Sequence, residues 1–552
     1  MRPASSEKSL APVAPDESRT LSLEQESAES EVQYVKGARL HLIVVALAIA
    51  VYLTNIEVPI VTTSLVTITN DIGGFERSSW VVSVYLLGYV GFVIIFTKLS
   101  DIFGRKLFLL FSLVIFLIFS AACGAAQTMT QLIVFRAFQG IGAGAGFGMS
   151  TAIMTEIVPP TQYATLTAII SSVYCLSHVT GPLIGGAINN STTWRWAFLL
   201  NVPGIVPALL LIYFCIPKGF PHQRLGKDEG LAGTAAGVWK KLNRENLKRV
   251  DFTGGFLLIA ATLSLVAALE EAGGRFAWRS AYVIVLLCVS SVAWAAFVAW
   301  ERWVTLQGGI KEPVFPWRFF TSRKWMGVLL TATFMGGPFI GAVFQLPQKF
   351  QVIYGTSPLG ASTRLLPFIG MGAIGAVITS LVAKKGVPPV YLILFSACLQ
   401  IVGFVLLGTN TDASKIHASQ YGFQVMAGFG AGANSALTIL MAPLSVEPRD
   451  RAVAMGAVSQ FRIMGGALGL SIVHTARNSF LRSKLSAFLS GGEVKQLMDS
   501  ATSLAQLDPR IRTEVTGIML EGYNIQMKIF AGLAGIQVLG AFLMWQRKQI
   551  RA

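Results

Sequence analysis

Apolar positions along this chain come in long unbroken runs, not in the alternating or amphipathic periods of a soluble fold. About 20 apolar residues cross a bilayer as a helix. Runs of that order lie near 40–62, 80–96, 107–126, 131–153, 165–188, 196–215, 252–269, 281–300, 325–346, 361–382, 389–407, 421–444, 452–474 and 525–545. The pattern predicts an all-α membrane protein of fourteen spans. Residues 1–37 are rich in Ser, Glu, Pro and Ala without an apolar core, which predicts a disordered tail. The polar remainder divides the chain. An N-terminal six-helix bundle is expected over 38–216, a basic linker over 217–251, two inserted helices over 252–300 and a loop over 301–324. A C-terminal six-helix bundle is expected over 325–546, including an external loop at 475–524 long enough to carry short helices, with a tail at 547–552.

Composition supports the membrane reading. The chain is 53% hydrophobic with a mean hydropathy of +0.60, and 13% charged, against about 25% in soluble domains. Lys and Arg number 44 against 28 Asp and Glu, a net charge of +16. The excess fits basic residues retained in cytosolic loops better than nucleic-acid binding. Arg105 and Lys106, the 217–251 linker, Arg318, Arg323, Lys324, Lys384, Lys385, Arg449 and Arg451 all fall on one side of an alternating topology. Both termini are therefore expected in the cytosol. The five cysteines lie in apolar runs without metal-ligand spacing, and a disulfide framework is not expected. No Walker loop, H-E-x-x-H, Gly-x-Ser-x-Gly or acidic metal cluster occurs. An enzyme is not expected, nor a cofactor or metal.

An internal repeat organises the spans. Phe135–Ala145 in the fourth run matches Phe423–Ala433 in the twelfth, with an offset of 424 − 136 = 288. The same offset carries Gly181 onto Gly469. Two six-helix halves arising by duplication, with the pair at 252–300 inserted between them, account for all fourteen runs. Transporters are commonly built this way, with the substrate site between the halves.

Charged residues inside the runs carry the candidate chemistry, because a guanidinium at mid-membrane costs about 2.5–3.5 kcal/mol on insertion scales. Arg136 lies about two turns inside the fourth span, and its repeat mate is neutral Gln424. Glu57 lies in the outer half of the first span. The two are expected at similar depth, where burial and a neighbouring cation would act on the carboxyl in opposite directions. Arg462 is a second intramembrane cation; His178 and His474 are weaker signals. Asp101, Gly104, Arg105 and Lys106 cluster at the second-to-third loop and are expected to latch neighbouring helices. Gly181, Pro182, Gly185 and Gly186 place a small-residue face beside a proline. Asn189 and Asn190 open overlapping glycosylation sequons at the membrane surface.

Taken together, these segments resemble the major facilitator superfamily, in particular its fungal fourteen-span drug:proton antiporter branch of toxin and multidrug efflux pumps. Lys98–Lys106 is similar to the superfamily's loop signature. Arg136, Gln139, Gly140, Gly142 and Gly144 are similar to its fourth-helix signature. Gly181-Pro182-x-x-Gly185-Gly186 is similar to its fifth-helix antiporter signature. Trp194–Phe198 followed by Asn201-Val202-Pro203 is similar to the start of the branch's sixth helix, and Ile56–Val61 to its first-helix pattern.

The resemblance implies a major facilitator fold of two six-helix bundles plus two central helices, and export of amphipathic organic compounds by alternating access. Inward proton flow would drive it, with Glu57 and Arg136 as the coupling residues. Tyr85, Tyr89, Phe147, Tyr174, Phe344 and Gln345 are expected to line the cavity. The expected partners are a small-molecule substrate, protons and the lipid bilayer, with no nucleic acid, and the chain is expected to be a monomer in the plasma membrane or, alternatively, the vacuolar membrane. Siderophore–iron uptake and vacuolar transport of basic amino acids are alternatives on the same fold. The second would need cavity acids beyond Glu57. A transport-dead sensor fits least.

Overall fold

Glycine punctuates the long helices. The first helix ends at Gly73 (φ 71°), the eighth at Gly308 (φ 58°) and the ninth at Gly355 (φ 62°), each in left-handed backbone that stops a helix cheaply. The computed structural model describes residues 34–73, 77–217, 220, 244–272, 276–487, 489–490, 492–494 and 509–551. Fourteen helices there are long and apolar enough to cross a membrane. They are α1 (Ala38–Ile72), α2 (Ser78–Phe103), α3 (Arg105–Ala125), α4 (Met129–Glu156), α5 (Tyr163–Ser191), α6 (Asn201–Cys215, after the short helix Trp196–Leu199) and α7 (Phe252–Glu271). The second half continues with α8 (Ala281–Gln307), α9 (Arg323–Tyr354), α10 (Leu366–Lys384), α11 (Pro389–Leu407), α12 (Ser419–Leu444), α13 (Arg451–Leu485) and α14 (Pro509–Met544). An even number of spans puts both described chain ends on one side, called here the terminal side.

Several boundaries differ from the hydropathy reading. The loop expected from 301 begins inside α8, because Glu301 to Gln307 continue the helix until Gly308 ends it. The loop expected over 475–524 is shorter. Residues 475–485 extend α13 and residues 509–524 begin α14, while 495–508 fall outside the described residues. Hydropathy misses such extensions because the added turns are polar on one face. Within the basic linker, 244–249 form a short helix and 221–243 lie outside the described residues. So does nearly all of the expected N-terminal tail.

The repeat is visible in the packing. In the first half α1 packs on α5 and α2 on α4; in the second, α9 packs on α13 and α10 on α12. The halves meet through the matching pairs α2 with α13 and α5 with α10. Close approach depends on missing side chains. A Cβ at Gly456 of α13 would stand 2.6 Å from Thr97 Oγ1 of α2, so the backbones meet where a larger residue could not fit. The same terminal half is tied by Arg451 Nη1 donating to the Tyr163 hydroxyl at 3.3 Å, by Lys384 Nζ donating to Thr165 Oγ1 at 3.3 Å, and by Ile94 N donating to Gln460 Oε1 at 3.4 Å. The inserted α7 lies along this seam, against α2 and α13, with α8 packed outside it.

Candidate functional site

Glu57 is fully buried inside the first bundle, where five helices supply its surroundings. Arg136 Nη1 of α4 donates to Glu57 Oε2 at 2.7 Å, and Gln139 Nε2 donates to Oε1 at 2.8 Å. Asn201 Nδ2 of α6 also donates to Oε1. Gln139 Nε2 reaches Ser120 Oγ of α3 at 2.8 Å, and its own Oε1 accepts from Arg136 Nη1 at 2.8 Å. Arg136 Nε donates to the Val81 carbonyl of α2 at 3.0 Å. Arg136 and Gln139 are three apart on α4, so one helical face holds both. The carboxylate thus has both oxygens paired, the condition under which a buried charge is tolerated. Arg136 Nη2 has no hydrogen-bond partner among the described residues. Sequence reasoning placed Glu57 and Arg136 at one depth. It quoted Gln139 and Asn201 only as motif residues and missed Ser120.

A cavity lies beside this pair at the junction of the two halves. Its walls come from Thr54, Asn55 and Val58 of α1, Tyr85, Leu86, Tyr89 and Val90 of α2, and Tyr174 and His178 of α5. Across them stand Val266 and Glu270 of α7, Ile340 and Phe344 of α9, and Ile463, Ala467 and Leu470 of α13. Of the six expected lining residues, Tyr85, Tyr89, Tyr174 and Phe344 are there. Phe147 lies behind the wall, its ring 6.1 Å from Tyr89 and 6.3 Å from Tyr174. Gln345 turns away, its Nε2 2.9 Å from His474 Nε2. Glu57 is not in the wall either: Thr54 and Val58 show α1's other face. Tyr85 stands between, its ring centroid 4.1 Å from the Arg136 guanidinium carbon and its hydroxyl donating to the Thr54 carbonyl at 2.6 Å.

The repeat offset gives Glu57 a mate that sequence reasoning overlooked. Glu57-Val58-Pro59 falls on Gln345-Leu346-Pro347 (57 + 288 = 345). The buried pair Glu57 and Arg136 therefore corresponds to two neutral glutamines, Gln345 and Gln424, which are also buried.

The fifth-helix motif packs on α1 beside the ion pair. A Cβ at Gly181 would stand 3.1 Å from Pro59 Cγ, and one at Gly185 2.9 Å from the Ile60 carbonyl oxygen. Pro182 lies within α5, which continues past it, and a Cβ at Gly186 would meet nothing within 4 Å. Asn189 is held in the last turns of α5, its Nδ2 donating to the Thr63 carbonyl at 3.2 Å and to Ser64 Oγ at 3.0 Å. That engaged, helical amide is a poor glycosylation acceptor; the Asn190 side chain lies outside the described residues.

At the terminal side, Arg105 pairs with Asp101 one turn back on α2 and with Glu156 at the end of α4, at 2.8 Å. Gly104 (φ 112°) makes the turn that brings them together. Lys106 departs from the expected cluster. Its Nζ donates to the Tyr213 and Ile216 carbonyls at 2.6 and 2.7 Å, closing the end of α6. A second cluster joins α2 to the segments that flank the inserted pair: Lys98 Nζ lies 2.8 Å from Glu312 Oε2, and Arg249 Nη2 2.6 Å from Glu312 Oε1. Burial alone would raise the Glu312 carboxyl, but the two cations bring it down to about 2.

Comparison with known proteins agrees with this fold. The sequence profile of the Major Facilitator Superfamily matches residues 45–470. The chain is 36% identical over 528 residues to the MFS-type transporter FPY5 of Fusarium mangiferae, covering 96% of this chain and 87% of that one. It is 27% identical over 559 residues to the MFS-type efflux pump LUC4 of a Fusarium species, covering 97% and 93%. The human organic anion transporter MFSD10 (TETRAN) shares the fold, with a TM-score of 0.56 at 14% identity over 92% of this chain and all of that one.

Proposed function

The chain belongs to the Major Facilitator Superfamily, and on that premise we propose that it is a proton-coupled exporter of amphipathic organic compounds, with both termini in the cytosol. One observation carries the coupling: the buried Glu57–Arg136 pair stands against a cavity wall, while its repeat-related positions hold neutral Gln345 and Gln424. Two carriers of charge sit where packing requires none. The efflux direction draws on the similarity to a relative named an efflux pump.

The mechanism runs through the wall and not by direct competition at the carboxylate, since Glu57 does not line the cavity. Protonating Glu57 removes the charge that holds Arg136. The guanidinium then has its Val81 and Gln139 bonds and the Tyr85 ring left. A shift of Arg136 presses on Tyr85, and through it on the cavity. Substrate against Tyr85 disfavours the protonated arrangement, and release favours it. One proton crossing 100 mV supplies about 2.3 kcal/mol, and each pH unit about 1.4 kcal/mol. Those sums can bias two states that differ by a few kcal/mol. Contacts between Gly456 and Thr97 and between Arg451 and Tyr163 join the halves on the terminal side, which on this reading is the cytosolic one, with Asp101, Arg105 and Glu156 bracing the ends of α2 and α4.

A reading as a basic amino-acid transporter gains one observation, the carboxylate of Glu270 in the cavity. The rest of the wall, mostly aromatic and aliphatic, disfavours so hydrophilic a cargo.

Inside-out vesicles carrying the full chain test the proposal. Acidified within, they should accumulate members of a panel of neutral and charged amphiphiles, and an ionophore should abolish the accumulation. Uptake indifferent to the ionophore removes proton coupling; accumulation of lysine or arginine in place of every amphiphile selects the alternative.

A further inference from the structure

The cavity is almost wholly uncharged, with one exception that comes from neither six-helix half. Among the described residues lining it there is no Lys or Arg, and the single carboxylate is Glu270 of the inserted helix α7. Its Oε2 accepts from Ser83 Oγ of α2 at 3.3 Å, and no cationic side chain among the described residues pairs with it. Arg462, the intramembrane cation of α13, does not line the cavity. Its guanidinium is covered by the Tyr174 ring at 4.4 Å and the Phe147 ring at 5.3 Å. Arg136 is committed to Glu57.

Two further features favour a cation in this cavity. Glu270 is the penultimate residue of α7, so it stands at the negative end of that helix's dipole, and no basic residue in the last turn offsets it. Tyr89 and Phe344 present aromatic rings to the cavity, and aromatic faces attract cations; the Tyr85 and Tyr174 rings already lie against Arg136 and Arg462.

We propose that Glu270 is the specificity-determining residue of the cavity, and that it selects amphiphiles carrying one positive charge, a basic amine or quaternary ammonium on an apolar body. The two inserted helices would then contribute selectivity, and not only bulk, to a transport core that the six-helix halves supply. The proposal rests on the cavity being the substrate site, and it deepens the export reading by naming a substrate class. It does not depend on proton coupling or on direction.

Two probes of one shape test it: a naphthyl-alkyl trimethylammonium and its neutral tert-butyl isostere. Binding is read on the purified full chain as a ligand-dependent rise in melting temperature and as quenching of tryptophan fluorescence. The wild type should bind the cation about tenfold more tightly than the isostere, the factor a charge-assisted contact supplies. Glu270→Gln should remove that preference and leave the isostere within about twofold, and Glu270→Asp should restore much of it. Equal binding of the two probes by the wild type, no binding of the cation, or a preference that survives Glu270→Gln overturns the proposal. The wild-type comparison decides even if the variant fails to fold. Loss of proton-driven accumulation in vesicles with the binding preference intact would instead overturn the export reading alone.

Discussion

The Arg462 guanidinium lies 4.4 Å from the centre of the Tyr174 ring, and the two residues hold the same place in the internal repeat (462 − 174 = 288). Arg451 and Tyr163, whose side chains hydrogen-bond at 3.3 Å, are also 288 positions apart. In both contacts an arginine of the second half meets the tyrosine that occupies its own position in the first. Residues related by a pseudo-twofold meet where they lie next to its axis, so these pairs mark the seam of the two halves on the terminal side. An arginine on an aromatic face is a contact worth about 0.5–2 kcal/mol, strong enough to hold a closed state and weak enough to break in a transport cycle.

Arg462→Met should loosen that seam while preserving most of the packed volume. With the stacking lost, the state open on the terminal side should gain population by a factor of about 2 to 30, as 0.5–2 kcal/mol implies. The check is thiol labelling of a cysteine introduced at Thr97, which should react faster in the Arg462→Met background. Unchanged labelling would mean that the stack does not contribute to closure.

Gly456 makes a steric counterpart to that prediction. A Cβ there would stand 2.6 Å from Thr97 Oγ1 and 3.2 Å from its Cγ2. Gly456→Leu should therefore bar closure of the seam and reduce transport at least tenfold, with insertion into the membrane unaffected. Transport at wild-type rate would show that the halves need not approach this closely.

Removing one partner of the buried pair should cost unequally. Arg136→Ala leaves the Glu57 carboxylate buried with only neutral donors and should destabilise the chain by about 3–5 kcal/mol. Glu57→Gln keeps the shape, and its single amide oxygen, turned to the Oε2 side, can still accept from Arg136 while the bonds from Gln139 and Asn201 are given up, so the fold should lose less. Both should abolish proton-coupled accumulation. Melting curves in detergent give the order of stability, and an Arg136→Ala protein as stable as Glu57→Gln would contradict the unpaired-charge argument.

Gly181 should be sensitive for the sake of the neighbouring helix. Its missing side chain lets α5 approach α1 at Pro59, two residues from Glu57. Gly181→Val is expected to displace that stretch and lower coupling more than it lowers substrate binding. Gly186, with nothing within 4 Å of an added Cβ, is the control and should tolerate alanine within about 0.5 kcal/mol.

The Lys98–Glu312–Arg249 cluster should give the chain an acid-sensitive component. Burial opposes ionisation of Glu312, but the two cations lower its carboxyl to about 2, below the usual value of about 4.3. A depressed folded-state pKa stabilises above the unfolded value and is lost as pH falls through the folded one. The stability difference between wild type and Glu312→Gln should therefore be full above about pH 4.5 and shrink toward pH 2. A difference that is the same at pH 3 and pH 7 would show that Glu312 acts through packing alone.

Much of this architecture was legible in the residues themselves. Fourteen spans follow from hydropathy because lipid demands a continuous apolar length. The halves follow from the repeat at 288, and Glu57 and Arg136 from the cost of charge in hydrocarbon. Rotation of each helix about its axis was not legible, because a span with an apolar surface all round carries no stripe to say which side faces what. Only the tertiary structure decided that Glu57 looks into the first bundle with Gln139, Asn201 and Ser120 around it, while Thr54 and Val58 look into the cavity. It also decided that Phe147 and Gln345 stand behind the cavity or turn from it. Glu270 shows the limit most plainly. In sequence it is one of two acids at the end of an inserted span, as ordinary as an interfacial residue. Packing of α7 along the seam of α2 and α13 is what turns it into the one carboxylate among the described residues of the cavity wall.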